Sequence, residues 1–181
     1  MKRDGFDRVL WLGLAGCLAA LGLLFILGST GGSHGRSRAT VDKAMEREIA
    51  YQARAAFLQK LYGPVDVLRQ SGERQRALLK LEELGRRYPG EAHGHIVKGA
   101  ILVELGALEE AISSYVRGVR LNGDYIDERS PLSRRTEIRQ VVDRALEDVG
   151  EKARAHPDNP SLAAVLKDAY YLQSRLAGGC E

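Results

Sequence analysis

Residues 92–125 read AHGHIVKGAILVELGALEEAISSYVRGVRLNGDY, and they hold the pattern that the rest of the chain repeats. Two apolar helical stripes flank Gly106. Before it stand Gly99 and Leu102 on one face and Ile96, Ala100 and Val103 on the next. After it come Ala111, Ile112, Tyr115, Gly118, Val119 and Leu121. Residues three and four apart share a helical face, and small residues let two such helices approach closely. The stretch therefore predicts a helical hairpin turning at Gly106.

The same positions return at a step of 34. Ala77, Ala111 and Ala145 keep it, as do Gly72 and Gly106, Leu78, Ile112 and Leu146, and Leu81, Tyr115 and Val149. Pro89 skips Gly123 and returns as Pro157. A period of 34 is one helix–turn–helix unit of a solenoid, in which each unit buries its apolar face against its neighbours. The copy at 58–91 is good in its second half (Gly72, Ala77, Leu78, Leu81, Leu84, closed by Pro89), while Pro64 and Val65 interrupt its first. The copy at 126–159 has Gln140 in place of the turn glycine. An unbroken stripe from Leu132 through Ile138, Val141, Val142, Ala145, Leu146 and Val149 predicts one long helix over 132–149. A closing helix is expected over 160–175, with Pro160 near its start.

At these positions the chain resembles the tetratricopeptide repeat, over 58–159. The resemblance implies an all-α fold, a short solenoid of helical hairpins spanning 62–176 with its best copy at 92–125. It also implies a protein-binding module, whose ligand, a peptide segment or a subunit of a membrane complex, lies along the first helix of each hairpin. Carried onto this sequence, that groove is lined by His93, Ile96, Ala100, Val103 and Glu104 in the best copy and by Tyr62, Asp66, Arg69 and Gln70 in the copy before it. The subfamily that clamps a C-terminal carboxylate needs Lys and Asn early in the groove. Tyr62 and Asp66 stand there instead, so that clamp is not implied. His95 falls in a packing slot that the family fills with an aromatic.

Residues 9–28, VLWLGLAGCLAALGLLFILG, carry no charge. Twenty helical residues span roughly 30 Å, the thickness of a bilayer's hydrocarbon, so a single transmembrane helix is expected. A cleaved signal has a shorter apolar core. The run Leu14-Ala15-Gly16-Cys17 also fits a lipoprotein signal, but the apolar stretch 18–27 that follows favours an uncleaved anchor with Cys17 unmodified. Lys2, Arg3 and Arg8 before the span nearly balance Arg36, Arg38 and Lys43 after it. The short tail 1–8 and the neutral STGGS favour an inside N-terminus with the repeat domain on the exported, periplasmic side.

A flexible linker is expected over 29–39. An amphipathic helix over 40–61 follows, capped by Thr40, whose stripe Val41, Met45, Ile49, Ala53, Phe57 and Leu61 packs on the first repeat. A tail, 177–181, ends the chain. A net charge of +3 with interleaved signs describes solvated helix surfaces and excludes a nucleic-acid footprint. The two cysteines, Cys17 and Cys180, are placed too differently to pair. His93 and His95, at i, i+2, point to different sides of a helix and have no third ligand nearby. No nucleophile, phosphate-loop or dinucleotide motif is present. The expectation is therefore a non-enzyme with no cofactor, metal or small-molecule substrate. The segment 124–131, DYIDERSP, reads either as a connector or as a contact loop. In function, the resemblance implies a membrane-tethered adaptor similar to bacterial anchored repeat proteins, of the kind assisting cytochrome or respiratory-complex maturation or of the kind accompanying the secretion translocon. The alternative is an accessory subunit of a membrane enzyme complex, held through its span.

Overall fold

All regular structure in residues 33–178, the part of the chain that the computed structural model describes, is helical. The elements are α1 (Ser33–Gln70), α2 (Arg74–Arg87), α3 (Ala92–Glu104), α4 (Leu108–Leu121), a 3-10 turn at Gly123–Tyr125, α5 (Arg135–Ala155) and α6 (Pro160–Leu176). Among the described residues no helix is long and apolar enough to cross a membrane. The expected span 9–28, the tail 1–8, Cys17, the first part of the expected linker and residues 179–181 lie outside the described residues. Two compact units divide between Tyr51 and Gln52.

The 34-residue step is written into the backbone of the second unit. Gly72 and Gly106 have φ of 81° and 78°. At each turn the glycine N–H donates three residues back, Gly72 to Arg69 at 3.1 Å and Gly106 to Val103 at 3.0 Å. The next N–H reaches five back, Glu73 to Leu68 at 2.8 Å and Ala107 to Leu102 at 2.9 Å. This pair of bonds closes a helix only through a left-handed residue, which glycine adopts without a Cβ clash. The far ends of the hairpins match as well. The N–H groups of Tyr88, Asn122 and His156 each donate four residues back, to Leu84, Gly118 and Lys152. New helices then start two steps of 34 apart, at Ala92 and Pro160, capped by the side chains of Glu91 and Asn159.

The third copy breaks the pattern where Gln140 replaces glycine. With no left-handed residue to stop it, α5 runs straight through 140, as the stripe predicts. Only its end is in step with α2 and α4, while residues 126–134, which would form the copy's first helix, are a connector.

The recurring alanines are fully buried: Ala77, Ala111 and Ala145 each have 0% exposure. The glycines between helices are equally determined by contact. A Cβ on Gly118 would lie 2.5 Å from Ile96 Cδ1, and one on Gly99 would lie 3.0 Å from the Tyr115 ring. Two apolar clusters result. One joins Leu58, Tyr62 and Val65 of α1 to Ala77, Leu81 and Leu84 of α2 and to Val97 and Ile101 of α3. The other joins α3 and α4 to the connector, α5 and α6, with Ile112, Tyr115, Ile138, Val142, Val149 and Leu172 at its centre.

The first helix departs from expectation in three ways. It begins at Ser33, so Thr40 is an interior residue and most of the expected linker is helical. No proline interrupts 33–63, and the residues after 41 are strong helix formers. It also continues past 61, through Pro64, to Gln70. An interior proline costs about 3 kcal/mol in a lost hydrogen bond and a ring clash. Burial of Leu58, Tyr62 and Val65, at about 1.5–3 kcal/mol each, more than offsets it. Finally, the expected stripe is exposed at Met45 and Ile49, both 59%, and at Phe57. The buried residues are Leu58, Tyr62 and Val65, displaced round the helix from the stripe, of which Leu61 alone packs partly buried against the same cluster.

Candidate protein-binding site

The nine residues expected to line a ligand groove have separate fates. Ile96, Ala100 and Tyr62 are buried, Ile96 to 2% exposure, and Ile96 and Tyr62 belong to the two apolar clusters. Val103 is half-buried against the same core. These four contribute to helix packing, Tyr62 from α1 and Ile96, Ala100 and Val103 from α3. Arg69 and Glu104 neutralise each other: Arg69 Nε donates to Glu104 Oε1 at 2.6 Å, and Arg74 Nε reaches Oε2 at 2.8 Å. Burial alone would raise the Glu104 carboxyl, but the hydrogen bonds from Arg74 and Arg69 outweigh it and hold the group below the usual range. Asp66 is half-buried and Gln70 is exposed.

His93 is enclosed. Its ring meets Tyr62 edge-on at 4.8 Å, and its Nδ1 lies 2.9 Å from the Tyr125 hydroxyl. Burial, then the positive charge of Arg134, lowers its pKa and favours the neutral ring. Beside it the start of α3 is capped by Glu91. Glu91 accepts the His93 N–H at 3.1 Å and two bonds from Arg54 of α1 at 2.5 and 2.7 Å. Tyr62 meets the Gly94 backbone, and burial followed by the Glu91 charge pushes its hydroxyl up to about 12.

Tyr125 arrives from the connector, the segment that the sequence left open. Asn122 caps the 3-10 turn by accepting the Asp124 N–H at 2.9 Å, and Tyr125 and Ile126 are buried behind it. Asp127 and Ser130 accept the N–H groups of Arg129 and Leu132, and Arg134 N–H closes the loop on the Tyr125 carbonyl at 2.7 Å. Leu132 packs against both apolar clusters. Arg135 then donates to the carbonyls of Ile126 and Leu176 and forms an ion pair with Glu128. The connector thus covers the His93 side of α3, where the resemblance places a ligand. Its register was unreadable in sequence because its partners, His93 and Leu176, are distant along the chain.

The other side of α3 is open. A pocket of about 370 Å³ lies between α2, α3 and α4, with Leu81 and Tyr62 below and Tyr88 and Pro89 at the rim. A second, of about 480 Å³, continues it toward Leu78, Glu110 and the start of α6. Glu82, Lys98, Ser114 and Arg117 line both. His95 stands here, half-buried and opposite in direction to His93, as the i, i+2 spacing predicts, and it lines the pocket instead of filling an enclosed packing slot. Burial, then the charges of Arg117 and Lys98, lowers its pKa. Neither Lys98 nor Arg117 makes an ion pair among the described residues. The sequence did not single these residues out, since they come from three helices; the available signal was Lys98, the one Lys or Arg of α3. No group of three or more potential metal ligands occurs among the described residues.

No protein-family model matches the chain, and no curated protein matches it.

Proposed function

We propose that the chain is a membrane-tethered adaptor of tetratricopeptide type, which holds a protein partner beside a membrane complex and assists its assembly. The observation that carries this reading is the 34-residue step in the helix ends and turns, with Gly72 and Gly106 closing two hairpins through the same hydrogen bonds. Hairpin arrays of this length present continuous surface to other chains. The uncharged run 9–28 supplies the tether, and tethering raises the partner's effective concentration at the membrane. Cytochrome or respiratory-complex maturation and secretion-associated chaperoning are the settings that such an adaptor fits, with the repeat domain on the exported side.

The test replaces residues 9–28 by an unrelated membrane span and compares co-purification in mild detergent with that of the natural chain. A partner retained by the chimera supports the adaptor. A partner lost with the natural span supports an accessory subunit held through its membrane helix.

A further inference from the structure

The last helix, α6, keeps the register of the repeat but lacks its cover. In α3, Val97 and Ile101 pack back toward α1 and α2, while Ile96, Gly99 and Leu102 stand on the opposite face and meet α4. Two steps of 34 along the chain, the first pair becomes Val165 and Ala169, and the second set becomes Ala164, Lys167 and Tyr170. Val165 and Ala169 are buried, together with Leu162, Leu172 and Leu176. Ala164, Lys167 and Tyr170 are exposed, Tyr170 to 58%. One turn beyond the position of Gly106, α6 also ends as α3 does: Gly178 has a φ of 84°, and its N–H donates to the Arg175 carbonyl at 3.3 Å. Thus α6 is built as the first helix of a hairpin, and the face that an antiparallel second helix covers in α3 is open among the described residues.

We infer that this face joins two copies of the chain, their α6 helices packing antiparallel across a two-fold axis at Tyr170. A two-fold axis at right angles to a helix makes the pair antiparallel, the direction in which α4 covers α3. In that arrangement the face is complementary to itself. The two Tyr170 rings meet at the crossing, and Lys167, one turn before, lays its stem along the ring of the other copy with its ammonium in solvent. The same helix already holds such a contact on its flank, where Arg120 lies over the Tyr171 ring at 4.8 Å. The two lysines stand six residues apart along the pair, about 9 Å, and so do not oppose each other directly. Asp168 is turned aside to the Ser113 hydroxyl at 3.4 Å, which leaves the face without a carboxylate. Ala163 and Ser174, exposed on either side of the ring, are small enough for close approach. A single pair of 17-residue helices buries less than the roughly 1,200 Å² of a standard interface, so the dimer is weak and concentration-dependent. The inference goes beyond the adaptor reading and does not depend on it.

The test uses the full chain in detergent micelles. Sedimentation equilibrium over a range of protein-to-detergent ratios should show monomer and dimer in exchange. Tyr170→Glu should weaken the dimer roughly tenfold or more at an unchanged melting point. Leu79→Glu, at a residue 65% exposed on α2, should leave it as it is. In a Cys17→Ser/Cys180→Ser background, Lys167→Cys should cross-link to its own copy with a short bismaleimide, and Leu79→Cys should not. A chain that is monomeric at every ratio overturns the assignment. So does a dimer of equal strength in Tyr170→Glu, which would place the contact elsewhere, or cross-linking as efficient at position 79 as at 167. A monomeric chain whose co-purified partner is lost in Tyr170→Glu also overturns it, and assigns the face to that partner.

Discussion

Gly118 and Ile96 show how closely single side chains determine this packing. The missing Cβ on Gly118 leaves the space that Ile96 Cδ1 fills, with the Ala92 carbonyl just beyond. Gly118→Ala should therefore cost about 1–3 kcal/mol by overpacking, and adding Ile96→Val, which removes the clashing Cδ1, should recover part of that loss in a denaturant titration. A second expectation follows from the burial of Ile96. Replacing Ile96 and Val103 by Glu places at least one carboxylate in a closed apolar cluster, so circular dichroism should show loss of the cooperative fold, not a folded protein that fails to bind. Glu104 is different, because its partners are partly exposed. Glu104→Gln should cost no more than about 1 kcal/mol, and the difference should shrink in high salt.

The connector is the element whose behaviour the helices alone do not set. Tyr125 holds it through a buried ring and a hydroxyl beside His93. Tyr125→Phe should cost about 0.5–1.5 kcal/mol, the worth of one hydrogen bond. Tyr125→Ala should cost about 3–5 kcal/mol and speed amide exchange in 123–134 before the helices are affected. His93 also makes this element sensitive to acid. Burial first, then Arg134, lowers its folded pKa, with Arg54 acting the same way and Asp66 and Glu91 opposing. The unfolded chain takes up a proton near pH 6.5 that the folded chain resists. The stability from a neutral His93 is thus complete above about pH 6.5 and lost as pH falls through the lowered folded value. His95 has the same sign. Melting points should fall from pH 7 to pH 5, and His93→Gln/His95→Gln should flatten that slope; a slope unchanged in the double variant would contradict the assignment.

At the scale of the whole molecule, the proposed tether makes its own prediction: intact-mass measurement of membrane-extracted protein should find residues 1–28 present and Cys17 unmodified. A chain beginning at Cys17 with added acyl mass would establish the lipoprotein alternative. Within the folded part, the local signals were legible. Gly72 and Gly106 marked the turns, since only a left-handed residue closes a helix in that way. Pro89 and Pro157 followed the helix ends, and the stripe across Gln140 announced one continuous α5. Three decisions were made only in the tertiary structure. Pro64 became a helix interior because neighbours bury Tyr62 and Val65 beside it. Ile96, Ala100 and Tyr62, which helical spacing alone allows on a binding face, are buried because α3 packs against its neighbouring helices and Tyr62 of α1 packs against α2 and α3. Lys98 and Arg117 were brought to one pocket from different helices. Sequence periodicity determines which residues share a face, because that depends on the geometry of a single helix; whether that face meets another helix, a loop or solvent depends on residues far along the chain, and only the packed molecule decides it.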